Sequence, residues 1–195
     1  MNNNIDLIIK EIDNLINNKN NTIIKVAIDG YCTSGKTTLS EFLSQRYNCN
    51  VFHMDDFFLR QEQRTNDRLN EIGGNIDYER FNTEVLIPLK NENDFSYKPY
   101  DCHNGSFKKT VNVISKRLNI IEGSYSMHPY FTCNYDLRIF LNISPELQKI
   151  RILKRNKSLH QNFFNKWIPM ENQYFKEYNI SQNSDIIIND LQLAL

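Results

Sequence analysis

Apolar residues recur at helical spacing near the start of the chain. They are Ile5, Ile8, Ile9, Ile12, Leu15 and Ile16, which fall on one face of an α-helix. Charged residues interrupt the same stretch at Asp6, Lys10, Glu11 and Asp13, so it does not have the continuous apolar core of a signal peptide. We therefore expect residues 1–20 to form an amphipathic helix that packs against the rest of the domain.

Short apolar runs alternate with helical patterns along the remaining chain. Strands are predicted at 22–28, 50–54, 118–121, 135–143 and 185–189, and helices at 36–47, 78–89 and 145–156. Pro88 is expected to bend or end the second of these helices. Short apolar strands separated by helices are typical of a parallel sheet covered on both faces. The pattern predicts an α/β fold in one domain, residues 1–195.

Two further segments depart from this alternation. Residues 95–100 and 107–114 have strand-like patterns, and the Asn104-Gly105 dipeptide between them favours a hairpin turn. Residues 59–75 are charged and rich in turn-forming residues, so we interpret them as a mobile segment above the sheet.

Composition narrows the classes of function. The chain has 195 residues, of which 40% are hydrophobic and 24% charged, with a formal net charge of zero. That balance does not favour nucleic acid or an anionic membrane as a partner, and no apolar run approaches the length of a membrane span. The four cysteines, Cys32, Cys49, Cys102 and Cys133, have no C-x-x-C spacing, so a zinc site is not expected.

A glycine-rich segment lies between the first predicted strand and the following helix. Its residues, with the adjoining Thr38, are Gly30, Tyr31, Cys32, Thr33, Ser34, Gly35, Lys36 and Thr37. They match the phosphate-loop pattern G-x-x-x-x-G-K-[ST] at every position, in which backbone N–H groups and the N-terminal end of the helix face phosphate oxygens. Lys36 is expected to reach the β- and γ-phosphates, and Thr37 to ligate Mg²⁺. The sequence therefore predicts binding of ATP with Mg²⁺.

Acidic residues follow two of the predicted strands. Asp55 and Asp56 stand at the carboxyl end of the second strand, the sheet edge where open α/β proteins bind ligands. Asp55 could accept a proton from a substrate hydroxyl during phosphoryl transfer; the alternative is a surface turn or helix cap. Glu122 follows another strand and could organise Mg²⁺ together with Thr37, or be an ordinary acid at a strand end.

Other candidates are weaker. Arg151, Lys154 and Arg155 could close over the phosphates as a lid, or form a solvated helix face; Arg151 and Arg155 are the candidate catalytic groups. The candidates for contact with an acceptor, besides Asp55, are Phe58, Tyr78, Arg80, Tyr100, His103 and Glu122. Phe58 could instead pack in the core, Arg80 could be an ordinary surface arginine and His103 could be solvated. The Cys32 thiol either points away harmlessly or blocks nucleotide binding when oxidised.

The chain resembles the uridine kinase and phosphoribulokinase group of phosphate-loop kinases over most of its length. The segments that carry the resemblance are 28–38, 53–58 (His-Met-Asp-Asp-Phe-Phe), 99–101 (Pro-Tyr-Asp), 120–123 (Ile-Ile-Glu-Gly), 151–155 and 184–188. The resemblance implies the P-loop NTPase fold with a small substrate hairpin and a lid. It also implies an ATP-dependent kinase, with Asp55 at the position of the family's catalytic base.

The resemblance leaves the acceptor open. Gly105 and Phe107 stand about where uridine kinases carry a histidine and an arginine, and His103 comes two residues early. A nucleoside-like acceptor of the uridine or cytidine type leads. Nicotinamide riboside, a pantothenate-like alcohol or a sugar phosphate is the alternative, and a nucleotide-binding regulatory protein is a third. We expect a cytoplasmic protein, and the resemblance also allows a homo-oligomer.

Overall fold

The computed structural model of this chain describes residues 3–19, 22–131, 135–155 and 160–192. A five-stranded sheet forms its centre. Its strands are β1 (Ile24–Gly30), β2 (Cys49–His53), β7 (Leu118–Glu122), β8 (Leu137–Asn142) and β9 (Ile186–Asn189). They lie in the order β2-β7-β1-β8-β9, and every neighbouring pair is parallel. The predicted parallel sheet is confirmed; Cys133 lies outside the described residues.

Helices cover both faces of this sheet. They are α1 (Asn3–Asn18), α2 (Lys36–Arg46), α3 (Asn66–Asn70), α4 (Tyr78–Phe81), α5 (Ile87–Lys90), α6 (Pro145–Arg155), α7 (His160–Asn162) and α8 (Ile168–Glu177). Because side chains of a strand alternate between faces, Val26 and Ile28 pack with the apolar residues of α1 and α2. Ala27 faces the opposite cluster, which includes residues of α4 and α8.

The N-terminal helix α1 packs its apolar face on the sheet. Ile8 and Ile12 are fully buried, and burying an aliphatic side chain of this size stabilises a fold by about 1.5–3 kcal/mol. The Tyr47 hydroxyl, just after α2, donates to Asp13 Oδ1 at 2.7 Å. The two helices are therefore joined by a polar contact as well as by the core. No helix among the described residues is long and apolar enough to cross a bilayer.

Pro88 does not end its helix, so that alternative of the prediction is wrong. Between α4 and α5 the chain forms a π-helical turn, Asn82–Leu86, and the helical path continues to Lys90. Proline has no N–H to donate and its ring crowds the preceding turn, and a widened π-helical turn accommodates both effects. The same arrangement recurs at Phe163–Trp167, where a π-helical turn precedes Pro169 at the start of α8.

Residues 59–75 are more ordered in their contacts than the predicted mobile segment. They contain a 3-10 turn, Gln61–Gln63, and the helix α3. Arg68 binds the carbonyl oxygens of Gly74 and Ile76, each at 2.9 Å. Its guanidinium also pairs with the Glu79 carboxylate at 2.8 Å and lies 3.7 Å from the centre of the Tyr78 ring. One partly buried arginine thus ties this segment to α4.

The predicted hairpin is confirmed. Its antiparallel pairs are β3 (Phe95–Tyr97) with β6 (Val111–Val113), and β4 (Tyr100–Asp101) with β5 (Ser106–Phe107). Asp101 Oδ1 accepts hydrogen bonds from the N–H groups of His103 at 2.9 Å and Asn104 at 3.3 Å. Gly105 completes the turn with φ +64°, a backbone conformation that favours glycine.

A buried carboxylate joins three parts of the fold. Asp29, in β1, accepts hydrogen bonds from the N–H groups of Gly30 at 2.7 Å, Tyr125 at 3.2 Å and Met127 at 3.0 Å. The Tyr174 hydroxyl of α8 donates to it at 2.9 Å. Burial raises the pKa of Asp29 to about 6, although these hydrogen bonds act in the opposite direction. The carboxylate therefore fixes the end of β1 against the segment after β7 and against α8.

Replacing Tyr174 with Phe removes one donor from this carboxylate and keeps the ring. Because a hydrogen bond to a charged group is worth about 1.5–3 kcal/mol, we expect the free energy of unfolding near neutral pH to fall by about that amount. Tyr178→Phe is the matched control, since its hydroxyl makes only a 3.4 Å contact with the Ile72 carbonyl. Chemical denaturation measures both variants. Equal losses would contradict the role given to Asp29.

Candidate active site at the carboxyl edge of the sheet

The glycine-rich segment forms a loop between β1 and α2, and its glycines are required by the backbone path. Gly30 has φ +143°, and a Cβ there would lie 2.2 Å from the Leu141 carbonyl oxygen. Gly35 has φ +108°, and Thr33 adopts φ +61° between them. These left-handed residues curl the chain, as a phosphate loop requires.

The loop offers free N–H groups on its inner side. Among the described residues, no hydrogen-bond partner is found for the backbone N–H groups of Thr33, Gly35, Lys36 and Thr37. Three of these groups lie at or just before the N-terminal end of α2, where the helix dipole adds positive potential. A set of unpaired N–H donors at a helix start fits an anion such as phosphate.

Side chains of α6 hold the loop through its carbonyl groups. Gln148 Nε2 donates to the Cys32 carbonyl at 3.2 Å. Arg151 Nη1 donates to the carbonyl oxygens of Thr33 at 2.9 Å and Ser34 at 3.2 Å. Arg151 was predicted to act on phosphates from a lid, whereas its guanidinium supports the loop in this structure. Arg155 is exposed at the end of α6, and its role in a lid stays a prediction.

Lys36 lies folded back across the loop. Its Nζ donates to the carbonyl oxygens of Gly30 at 2.7 Å and Tyr31 at 2.9 Å, and it lies 3.3 Å from Ser124 Oγ. The ammonium group is therefore already at the mouth of the loop, next to the chain segment that follows β7.

Parallel pairing of β2 with β7 brings the predicted acidic groups to the same edge. His53 and Glu122 are register partners in these strands, and His53 Nδ1 lies 2.5 Å from Glu122 Oε1. The Thr37 hydroxyl donates to the same Glu122 oxygen at 3.3 Å. The pairing of Thr37 with Glu122, predicted for a metal ion, is present as a direct contact. The described residues contain no cluster of three or more His, Cys, Asp and Glu side chains arranged around a metal position.

Asp55 stands just beyond β2, with part of its surface exposed and the rest surrounded by protein. Loss of hydration within the surrounding protein raises the pKa of this carboxyl, and the negative charge of Glu122 adds to the effect, whereas Lys36 opposes it. Burial and the negative charges of Asp101 and Asp55 raise the pKa of the exposed Cys102 thiol. Strand β4 of the hairpin also contacts the turn Met54–Phe57, so the hairpin lies near Asp55.

Arg80 connects this acidic turn to the hairpin. Its Nη2 donates to the Asp56 carbonyl at 2.7 Å and its Nη1 to the Lys98 carbonyl at 2.9 Å. The guanidinium carbon lies 4.2 Å from the centre of the Phe57 ring. Since these contacts use the guanidinium of a largely buried side chain, Arg80 positions the turn that carries Asp55.

The other predicted acceptor contacts are spread over the surroundings of the turn. Tyr100 is buried and packs edge-on against Phe107 with ring centres 5.5 Å apart, and His103 is exposed on the hairpin turn. Tyr78 stacks on His128 with ring centres 4.7 Å apart, and the Arg68 guanidinium lies over its ring. Phe58 is half-buried and forms an isolated bridge with Ile76. Contact of these side chains with an acceptor stays a prediction.

Cys32 has a protected thiol. Gln148 Nε2 lies 3.3 Å from its sulfur, and burial with the nearby Glu171 carboxylate raises the pKa of the thiol. Because the thiolate is the reactive form, this environment favours the harmless alternative over an oxidation switch.

Several residues of the site were not identified from the sequence. Glu171 of α8 contacts the loop at Cys32, and Ser124 lies between Glu171 and Lys36. His53 could have been recognised, since it occupies the same strand end as Asp55. Glu171 carried no sequence signal, because it reaches the loop from far along the chain.

The fold is similar to that of several solved proteins. A possible uridine kinase from Bacillus stearothermophilus matches with a TM-score of 0.69 and 21% identity over 95% of this chain and 97% of its own. A protein proposed to be a fructose transport system kinase, from Silicibacter sp. TM1040, gives 0.67 and 20% over 94% and 98%. D-glycerate 3-kinase from Cryptococcus neoformans gives 0.64 and 12% over 95% and 94%.

No family model matches the sequence, and no curated protein matches it. The similarity to the solved structures confirms the expected P-loop kinase architecture at the level of the fold. Identities of this size do not carry an activity or an acceptor from those proteins to this chain.

The two arginines of the predicted lid should differ in their effect on stability. Arg151→Ala removes a charged donor from two loop carbonyls and from the Leu191 carbonyl at 2.7 Å, so we expect a loss of about 1.5–3 kcal/mol in the free energy of unfolding. Arg155→Ala, at an exposed position of the same helix, should stay within about 0.5 kcal/mol of wild type. Urea denaturation of the ligand-free protein tests the pair. Two similar values would contradict the support role.

Proposed function

We propose that this chain is an ATP-dependent small-molecule kinase that transfers the γ-phosphate to a hydroxyl of a nucleoside-like acceptor. The observation that carries the proposal is the meeting of three groups at one sheet edge: the phosphate loop, the Thr37–Glu122 contact at 3.3 Å and Asp55. A switch or regulatory protein would need the loop but not an acid beside a substrate hairpin. The fold shared with solved kinases supports the same reading.

The loop would hold the phosphate chain of ATP. Its unpaired N–H groups would receive phosphate oxygens, and Lys36 would exchange its two carbonyl contacts for the β- and γ-phosphates. Backing by Gln148 and Arg151 would keep the N–H groups pointing inward. Preorganised donors of this kind stabilise the charge of the transferred group without reorganising during the reaction.

Thr37 and Glu122 would hold Mg²⁺. A hydroxyl and a carboxylate oxygen in contact suit a cation that takes one or two protein ligands and keeps several waters. When bound, the ion would neutralise charge on the phosphates. His53, paired with Glu122, would fix the orientation of that carboxylate.

Asp55 would accept the proton of the acceptor hydroxyl. A general base works best when its pKa lies close to the working pH, and the surroundings raise the pKa of Asp55 in that direction. Arg80 and the hairpin would hold the turn in place. The exposed Arg155 would close over the phosphates and exclude water from the reaction.

A second acceptor class is favoured by one observation. An exposed basic group stands near the acidic turn, since Lys108 Nζ lies 3.9 Å from Asp56 Oδ1. This ammonium group could receive a negatively charged acceptor such as a sugar phosphate or a pantothenate-like acid. We further infer that residues 1–195 form one domain of a cytoplasmic protein. Self-association of this protein is a separate question for measurement in solution.

The decisive experiment is ADP release from ATP with Mg²⁺ against a panel of acceptors. The panel contains uridine, cytidine, other nucleosides, nicotinamide riboside, pantothenate, sugars and sugar phosphates. We expect strong stimulation by one chemical class, which names the acceptor. A flat background over the whole panel, with a protein partner captured only in the ATP-bound form, would favour the regulatory alternative.

Asp55→Asn should lower kcat with the active acceptor by about 10²–10⁴-fold, the usual worth of a general base, while ATP binding is retained. Asp56→Asn is the matched control, because it removes a charge from the adjacent residue without removing the proposed base. Steady-state kinetics compares the two. Turnover by Asp55→Asn within about tenfold of wild type would show that another group takes the proton.

A further inference from the structure

A buried carboxylate from another part of the fold contacts the phosphate loop. Glu171, on α8, has 4% of its surface exposed. Its Oε2 accepts a hydrogen bond from the Cys32 N–H at 2.9 Å. Its Oε1 accepts one from the Ser124 hydroxyl at 2.7 Å. Among the loop N–H groups, one is therefore already bound to an anion that belongs to the chain.

Glu171 lies close to the place where the terminal phosphate of a bound triphosphate would be held. Ser124 Oγ, which donates to Glu171, lies 3.3 Å from Lys36 Nζ. Lys36 is the residue that reaches the β- and γ-phosphates in a phosphate loop. Glu171 is thus one hydroxyl group away from the ammonium that would bind the terminal phosphate.

The surroundings explain why a charge can be buried here. A carboxylate removed from water is costly unless cations and hydrogen-bond donors compensate it. Lys36 and the donated hydrogen bonds of Cys32 and Ser124 lower the pKa of Glu171, against the larger raising effect of burial. Two of these compensating groups, the Lys36 ammonium and the Cys32 N–H, belong to the loop that would bind phosphate oxygens.

We propose that Glu171 is a placeholder anion, which occupies the terminal-phosphate end of the loop in the absence of nucleotide and selects against the γ-phosphate relative to ADP. The inference rests on the proposed function, because it assumes that residues 30–37 bind nucleotide phosphates. A γ-phosphate brings negative charge next to the carboxylate and competes for Lys36, whereas ADP places less charge there. The carboxylate therefore weakens ATP binding more than ADP binding.

Glu171→Gln tests the charge with little change in shape. The amide oxygen can still accept one hydrogen bond, and the repulsion is gone. We expect the Kd for ATP to fall tenfold or more and the Kd for ADP to change less than threefold, both measured by calorimetry with Mg²⁺ present. Glu177→Gln, at an exposed position of the same helix, is the matched control and should leave both constants unchanged.

Glu171→Asp separates charge from contact. It keeps the negative charge and shortens the reach to Cys32, so the ratio of the two dissociation constants should stay close to wild type. Tightening of ATP by Asp as well as by Gln would overturn the charge explanation.

Three further outcomes would overturn the proposal. Glu171→Gln could bind ATP as wild type does, bind it more weakly, or change ATP and ADP by the same factor; in each case the carboxylate only anchors α8 to the loop. If residues 30–37 did not bind nucleotide phosphates, wild type would bind neither nucleotide, which is a different result. If the chain bound nucleotides but phosphorylated no acceptor, the acceptor panel would show it, and the comparison of dissociation constants would still test Glu171. Circular dichroism of each variant confirms that it is folded before binding is compared.

Discussion

The hydrogen bonds to the buried carboxylate of Asp29 are the contacts on which the candidate site depends. They join the end of β1, where the phosphate loop begins, to the backbone of Tyr125 and Met127 and to the Tyr174 hydroxyl. Tyr125 directly follows Ser124, which lies just beyond Glu122 at the end of β7. Tyr174 lies one turn of α8 after Glu171. Unpaired, the carboxylate would be costly to bury, so the folded chain must bring all three segments together. The hydrogen bonds that stabilise the buried Asp29 carboxylate therefore also bring the parts of the candidate site together.

Sheet order then decides which side chains meet. β7 lies between β2 and β1, so the carboxyl ends of three parallel strands present His53, Glu122 and the loop on one edge. Asp55 lies two residues beyond the end of β2, within the 3-10 turn Met54–Phe57. Arg80 links that turn to the hairpin, because its guanidinium donates to the Asp56 carbonyl of the turn and to the Lys98 carbonyl beside the hairpin strands. Rigid strands hold the phosphate side, whereas loops and side-chain contacts shape the acceptor side.

Features of this arrangement that depend on local patterns were predictable from the sequence. Features that depend on how distant segments dock were less so. The strands, the amphipathic N-terminal helix and the phosphate loop depend on local patterns, and all were recognisable. The contact of Thr37 with Glu122 was also within reach, because strand ends of a parallel sheet share an edge. Arg151 was assigned to phosphates but supports loop carbonyls, since its partners depend on how α6 docks. Glu171 reaches Cys32 from 139 positions away, and no spacing rule connects such residues.

The π-helical turn before Pro88 has a consequence for comparing this chain with its structural relatives. A π-helical turn holds one residue more than the α-helical turn it replaces, and each residue of a helix turns the chain by about 100°. The faces of α4 and α5 are therefore out of phase with a continuous helix. An alignment that admits no gap within 82–86 will displace every position on one side of the turn from its structural counterpart in a relative without the extra residue. Part of the low identity between such chains would then be an error of register rather than a difference in sequence.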